Sequence, residues 1–125
     1  MKSELDISER LEELKTLKDG WLDGIGLAPS KEGMDWLKEI LDKYYPESIA
    51  QPRLYPTELG EILAEWKIGN YMASLEIDLK THFGSWHVLD VVSDRDYAEE
   101  IDLSDENGWG LVIGKITRLE DGDFK

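Results

Sequence analysis

The stretch that most limits what this chain can fold into is Glu61 to Leu79, EILAEWKIGNYMASLEIDL, two alternating runs joined by Gly69-Asn70. Side chains alternate across a strand, so residues two apart share a face. In the second run Tyr71, Ala73, Leu75, Ile77 and Leu79 fall on one face, with Met72, Ser74, Glu76 and Asp78 on the other. In the first run Ile62, Ala64 and Trp66 share a face against Glu61, Leu63 and Glu65. Gly-Asn suits a two-residue hairpin connection because both residues tolerate positive φ. Pairing Ile68 with Tyr71 then sets Trp66 against Ala73, Ala64 against Leu75 and Ile62 against Ile77, large against small along the core face. The same register puts Glu61 beside Asp78 and Glu76 opposite Leu63 on the other face. Like charges directly opposite are destabilising, so that face is expected to be wet or to meet something basic.

The flanking sequence supplies partners for the hairpin. Leu5 to Lys18 predicts a helix with a Leu11, Leu14, Leu17 stripe, Asp6 or Ser8 as N-cap, and Lys15 and Lys18 near its C-terminal end. Gly20 to Pro29 cannot continue it. Three glycines and a proline impose turns there, and Trp21 and Ile25 are the expected apolar anchors of a structured loop. Ser30 caps a second helix carrying Met34, Leu37, Leu41 and Tyr44 at helical spacing, supported by Trp36 and Ile40 and stopped by Pro46. Pro52 and Pro56 keep the next segment extended and confine it to a sheet edge, with Leu54-Tyr55 as a short edge strand.

Beyond the hairpin, Ser85 to Val92 predicts a third strand in one of two registers. One points Trp86, Val88 and Val92 inward together with Asp90; the other points Leu89 and Val91 inward with His87. Tyr97 to Leu103 reads as a fourth short strand or as irregular structure. Ser104 or Asp105 caps a last helix with Trp109, Val112, Ile113, Ile116 and Leu119 on its apolar face. Gly108, Gly110 and Gly114 weaken that helix by roughly 1 kcal/mol each relative to Ala, a cost offset where small residues let the helix sit close on the sheet. The order predicts a single α+β domain over residues 1–125, frayed at about 1–5 and 120–125. Its expected architecture is an antiparallel β-meander of three to four strands with two N-terminal helices and one C-terminal helix packed on one face.

Composition narrows the function classes. The chain has 125 residues, long enough for a real core, and its five Trp, five Tyr and 41% hydrophobic content argue against disorder. It carries 28 acidic against 14 basic residues, a formal net charge of −14. Such a field repels nucleic acid and anionic membranes and favours a basic partner, although solubility alone also accounts for it. There is no cysteine, hence no disulfide and no thiolate chemistry. MKSELDISER lacks the apolar core of a secretory signal, and no apolar run approaches the roughly 20 residues of a membrane helix. A cytoplasmic location is expected.

Candidate chemistry is sparse. His82 and His87 lie five apart with Asp78 and Asp90 nearby, but without the spacing of a recognised metal motif. The loop GWLDGIG resembles a phosphate-binding loop only in its glycines: no strand precedes it and no GK[ST] follows. No catalytic residue, metal or cofactor is assigned. The hairpin carboxylates Glu61, Glu65, Glu76 and Asp78 are candidates for contact with a partner's basic residues. Trp21, Tyr45 and Tyr55, beside prolines and loops, are candidate interface anchors, since Trp and Tyr dominate binding hot spots.

Taken together, GWLDGIGLAPS, the Pro52 to Thr57 stretch, Gly60 with Glu65-Trp66, and Leu75 to Leu79 resemble a group of small bacterial proteins with the same order of segments. The resemblance runs from about Gly20 to Ile116 and implies no catalytic residues. Some members of the group sit in mobile or toxin–antitoxin-like neighbourhoods. The expectation is therefore a non-enzymatic acidic protein-binding module, of the antitoxin, immunity or defence-accessory kind, that docks a protein with a basic surface. The alternatives are a small metal-dependent hydrolase using His82, His87 and carboxylates, a nucleic-acid mimic, and a self-assembling subunit joined through an unpaired sheet edge.

Overall fold

The computed structural model describes residues 6–123. Its elements run α1 (Ile7–Leu14), α2 (Lys31–Tyr44), β1 (Arg53–Pro56), β2 (Ile62–Ile68), β3 (Tyr71–Ile77), β4 (Phe83–Asp90), β5 (Arg95–Asp102) and α3 (Glu106–Glu120). The strands form one antiparallel sheet in the order β1-β2-β3-β4-β5. The fold is α+β, as the sequence implies, but the meander has five strands rather than three to four.

The hairpin register follows from the alternation. Ile68 pairs with Tyr71, Trp66 with Ala73, Ala64 with Leu75 and Ile62 with Ile77. Only Gly69 takes a positive φ, 58°, matching a turn that requires glycine at its first position. The inner face continues into β4 through Trp86 and Val88, both buried. Of the two registers open for this strand, the first holds for those two residues. Asp90 is not a buried charge: it ends the strand, and its Oδ1 accepts from the backbone N–H groups of Val92 (3.0 Å) and Ser93 (3.3 Å). Val92 is 73% exposed in the turn beyond.

The helices cover this inner face, and the buried side chains form one contiguous cluster. Ser30 caps α2 by accepting from Gly33 N–H at 2.9 Å, and Met34, Leu37 and Leu41 face the core. Asp6 caps α1, which is shorter than the sequence suggests and places Leu11 and Leu14 in the core. Asp105 caps α3, whose Trp109, Val112, Ile116 and Leu119 are buried. Gly108 lets this helix start against the end of β5: a Cβ there would fall 1.8 Å from the Asp102 carbonyl oxygen.

The last described residues close α3 with a defined cap. Gly122 at φ 84° closes α3, with Asp123 N–H donating to Arg118 O (2.8 Å) and Gly122 N–H to Leu119 O (3.0 Å). These are the two bonds of a Schellman motif. The Tyr71 hydroxyl then donates to Gly122 O at 2.8 Å. The expected fraying at 1–5 and at the last two positions lies outside the described residues. Among the described residues no helix is long and apolar enough to cross a membrane.

Candidate functional site

With all three helices on one side, the described residues leave the other face of the sheet open, and strict pairing aligns its side chains in rows. One row reads Arg53, Glu65, Ser74, His87, Ala98; the next reads Tyr55, Leu63, Glu76, Ser85, Glu100. Lys67, Met72, Leu89 and Asp96 form a third. A shallow trough of about 460 Å³ runs over this face, lined by Leu63, Ser74, Glu76, Ser85, His87 and Glu100 among others. Met72 (45%) and Phe83 (47%) add exposed apolar surface.

The structure thus brings Glu65, Glu76 and Tyr55 onto one surface and sets Glu61 and Asp78 at its rim. The rim residues differ in role. Asp78 Oδ1 accepts from the backbone N–H groups of Lys80 (2.8 Å) and Thr81 (3.1 Å), and these bonds hold its carboxyl below the usual range. Asp78 is therefore first of all a turn former. Glu61 is pushed the other way, by partial burial and then by the negative charges of Glu76 and Asp78. A carboxylate whose folded pKa is raised costs stability as pH rises through the window above its ordinary value of 4.5. Glu61→Gln is accordingly expected to raise the thermal midpoint at neutral pH and to lose this advantage at pH values below that window. Paired melts across pH check it; an advantage that grows on acidification would refute the assignment.

The open face holds two residues that the sequence did not single out, Asp96 and Glu100. Asp96 Oδ2 lies 2.9 Å from His87 Nε2, and Glu100 Oε2 accepts from Ser85 Oγ at 2.6 Å. Both belong to β5, and nothing in the local pattern of RDYAEEID marks which way its acids point.

Two of the expected aromatic anchors are elsewhere. Tyr45 is only 7% exposed and belongs to the core. Its hydroxyl donates to Ala50 O and accepts from Trp66 Nε1–H at 3.0 Å, and burial raises the phenol pKa above its ordinary value. Position beside Pro46 suggested a surface residue; the side chain instead turns inward to satisfy the buried indole. Trp21 is half-buried and braces its own loop, donating from Nε1 to Leu27 O at 2.9 Å. That loop is well ordered by bonds such as Gly20 N–H to Gly26 O (2.8 Å) and Leu22 N–H to Ile25 O (2.8 Å). Yet Ile25, expected as an anchor, is 60% exposed, beside exposed Leu22, Leu27 and Leu59. Leu27 is bridged through its backbone to Leu59 in the following loop, and Leu22 to Ile25, so the loop backbone that carries these exposed side chains is fixed.

The two histidines do not converge. His82, in the β3–β4 turn at φ 65°, stacks on Trp36 of α2 with ring centroids 3.7 Å apart and planes 9° apart. His87 is on the open face with Asp96. Among the described residues no three His, Asp or Glu side chains are grouped to hold a metal ion. The arrangement needed by the hydrolase alternative is therefore not formed by these two residues. In comparisons with protein families, curated proteins and solved structures, the chain matches none.

Proposed function

We propose that this protein is a non-enzymatic binding module that docks a basic surface of a partner protein, with the antitoxin, immunity and accessory classes as its natural settings and the cytoplasm as its location. The observation that carries this reading is the open sheet face. Glu65, Glu76, Asp96 and Glu100 lie on it, Glu61 and Asp78 sit at its rim, and only Arg53 and Lys67 offset them in the same rows. A basic partner relieves the unfavourable charge at Glu61 and meets apolar surface at Met72 and Phe83. Electrostatics of this kind chiefly accelerates association, while buried apolar contacts set the lifetime of the complex.

The test is affinity capture from nuclease-treated host lysate, run in parallel with wild-type protein and a Glu65→Lys/Glu76→Lys variant. A stoichiometric protein partner is expected with wild type, released by salt and weakened about 10- to 100-fold by the double reversal. A complex indifferent to both salt and charge reversal would overturn the proposal.

A further inference from the structure

The two edges of the sheet are not equivalent. In an antiparallel strand the N–H and C=O of one residue point the same way, and successive residues alternate sides. The Thr57 N–H to Glu61 O bond (3.0 Å) fixes the phase at β1, so Leu54 and Pro56 face its outer edge. That edge is closed. Arg10 Nε donates to Leu54 O at 2.8 Å, Pro56 has no N–H, and the strand is four residues long. Short strands, proline and capping side chains are the usual means of blunting an edge.

At the opposite edge the phase follows from Asp78 N–H to Phe83 O (2.9 Å) and Val91 N–H to Asn70 O (3.0 Å). Odd-numbered residues of β4 bond to β3, even-numbered ones bond to β5, and Asp96, Ala98, Glu100 and Asp102 turn their backbone groups away from the sheet. Asp102 O is shielded by Gly108 of α3. Asp96, Ala98 and Glu100 are exposed, and among the described residues no partner covers their outward N–H and C=O groups. This edge is eight residues long and has neither proline nor bulge. Among the described residues, charge alone protects it.

The charge also selects the occupant. A second copy pairing antiparallel about Tyr97 would offer Asp96 only Ala98, with Arg95 opposite Glu99; pairing about Ala98 would set Asp96 opposite Glu100 twice, and pairing about Glu99 would set Asp96 opposite Asp102 twice and Glu99 opposite itself. Like charges directly opposite disfavour the last two pairings. A basic strand meets the reverse situation: Lys or Arg opposite Asp96 and Glu100, with a small or apolar residue opposite Ala98, satisfies backbone and side chains together. We infer that β5 accepts an extended basic segment of a partner protein as a sixth antiparallel strand. This rests on the docking-module reading and adds the mode of engagement.

The probe is a fluorescein-labelled peptide of about ten residues with Lys at every fourth position, Val midway between successive lysines and Thr elsewhere, titrated by anisotropy against the full chain at low salt. Ala98→Pro removes an N–H that bonds to nothing within the sheet, so the fold tolerates it as an edge proline while the edge is blocked. Binding is expected to fall at least about tenfold in this variant. Because that variant carries some risk to the strand, a second measurement leaves the protein untouched. Methylating the peptide's amide nitrogens at alternate positions is expected to abolish binding in one phase and spare it in the other. Equal binding by Ala98→Pro and by both methylated peptides overturns the inference; if that binding still disappears in Glu65→Lys/Glu76→Lys, the docking module stands and uses the open face alone. Absence of any binding by the basic peptide at low salt counts against both. A wild-type dimer dissolved by Ala98→Pro overturns the choice of occupant in favour of a second copy.

Discussion

Replacing Gly108 with alanine is expected to destabilise the protein by about 3 kcal/mol or more, enough to consume a large part of the stability of an ordinary domain. The added methyl would lie 1.8 Å from Asp102 O and close to the backbone of Leu103, where no flexible side chain can move aside. Relief requires lifting the start of α3 off the end of β5. That would also strain the bond from Trp109 Nε1–H to Leu103 O, 2.9 Å in the buried core. The control is internal to the same helix. A Cβ at Gly110 meets nothing within 4 Å, and one at Gly114 makes only an ordinary contact with Arg118. Alanine at either position is expected to stabilise by about 0.5–1 kcal/mol, the usual helix-propensity gain. Urea denaturation of the three variants separates close approach from propensity; similar behaviour at all three would refute the packing argument.

Tyr45→Ala is expected to cost about 3–5 kcal/mol, in the range for losing a buried aromatic ring. Tyr45→Phe keeps the ring and isolates the hydroxyl. It leaves Trp66 Nε1–H and Ala50 O without the group that joins them, at a cost of about 1–3 kcal/mol. The pair of variants distinguishes a core residue from an interface anchor. Denaturant midpoints should fall in the stated order, while Tyr45→Phe, at a temperature where it remains folded, binds the basic peptide as tightly as wild type. A Tyr45→Phe variant of unchanged stability but weakened binding would return this residue to the interface.

These two cases also show what the chain discloses by itself. The β2–β3 register was legible because strict two-residue alternation and a Gly-Asn turn leave one pairing that hides Ile62, Trp66, Leu75 and Ile77 together. Helix α2 was legible for the same reason at helical period. Strand β5 was legible only as one of two readings over Tyr97 to Leu103, because its inward row includes Tyr97, Glu99 and Ile101, of which only Ile101 is buried. Glu99 is accommodated there by Lys115 of α3 at 2.7 Å, a partner from a distant part of the chain. Tyr45 was misplaced on similar grounds: its need for an inward orientation arises from Trp66, 21 residues away. The carboxylates Glu65 and Glu76 could be assigned to one face from alternation alone. That this face would be the open one depended on where three helices docked, and Asp96 and Glu100 could join the site only once β5 was paired. The exposure of Ile25 was also hidden, since a glycine-rich loop can as readily tuck an isoleucine as display it.

The strictly sequential strand order bears on how the molecule assembles. Each strand pairs with its neighbour in the chain, so forming the sheet closes only short loops, each with a small entropic cost. The distant contacts are left to the ends: Arg10 on Leu54, Ala50 N–H on Glu120, and Tyr71 on Gly122. A meander of this order keeps its strand pairings local for a β structure, and local pairing favours faster folding. Until α3 arrives, the apolar faces of β4 and β5 stand uncovered. The passage most exposed to misassembly is then the docking of the last helix, whose close fit depends on one glycine.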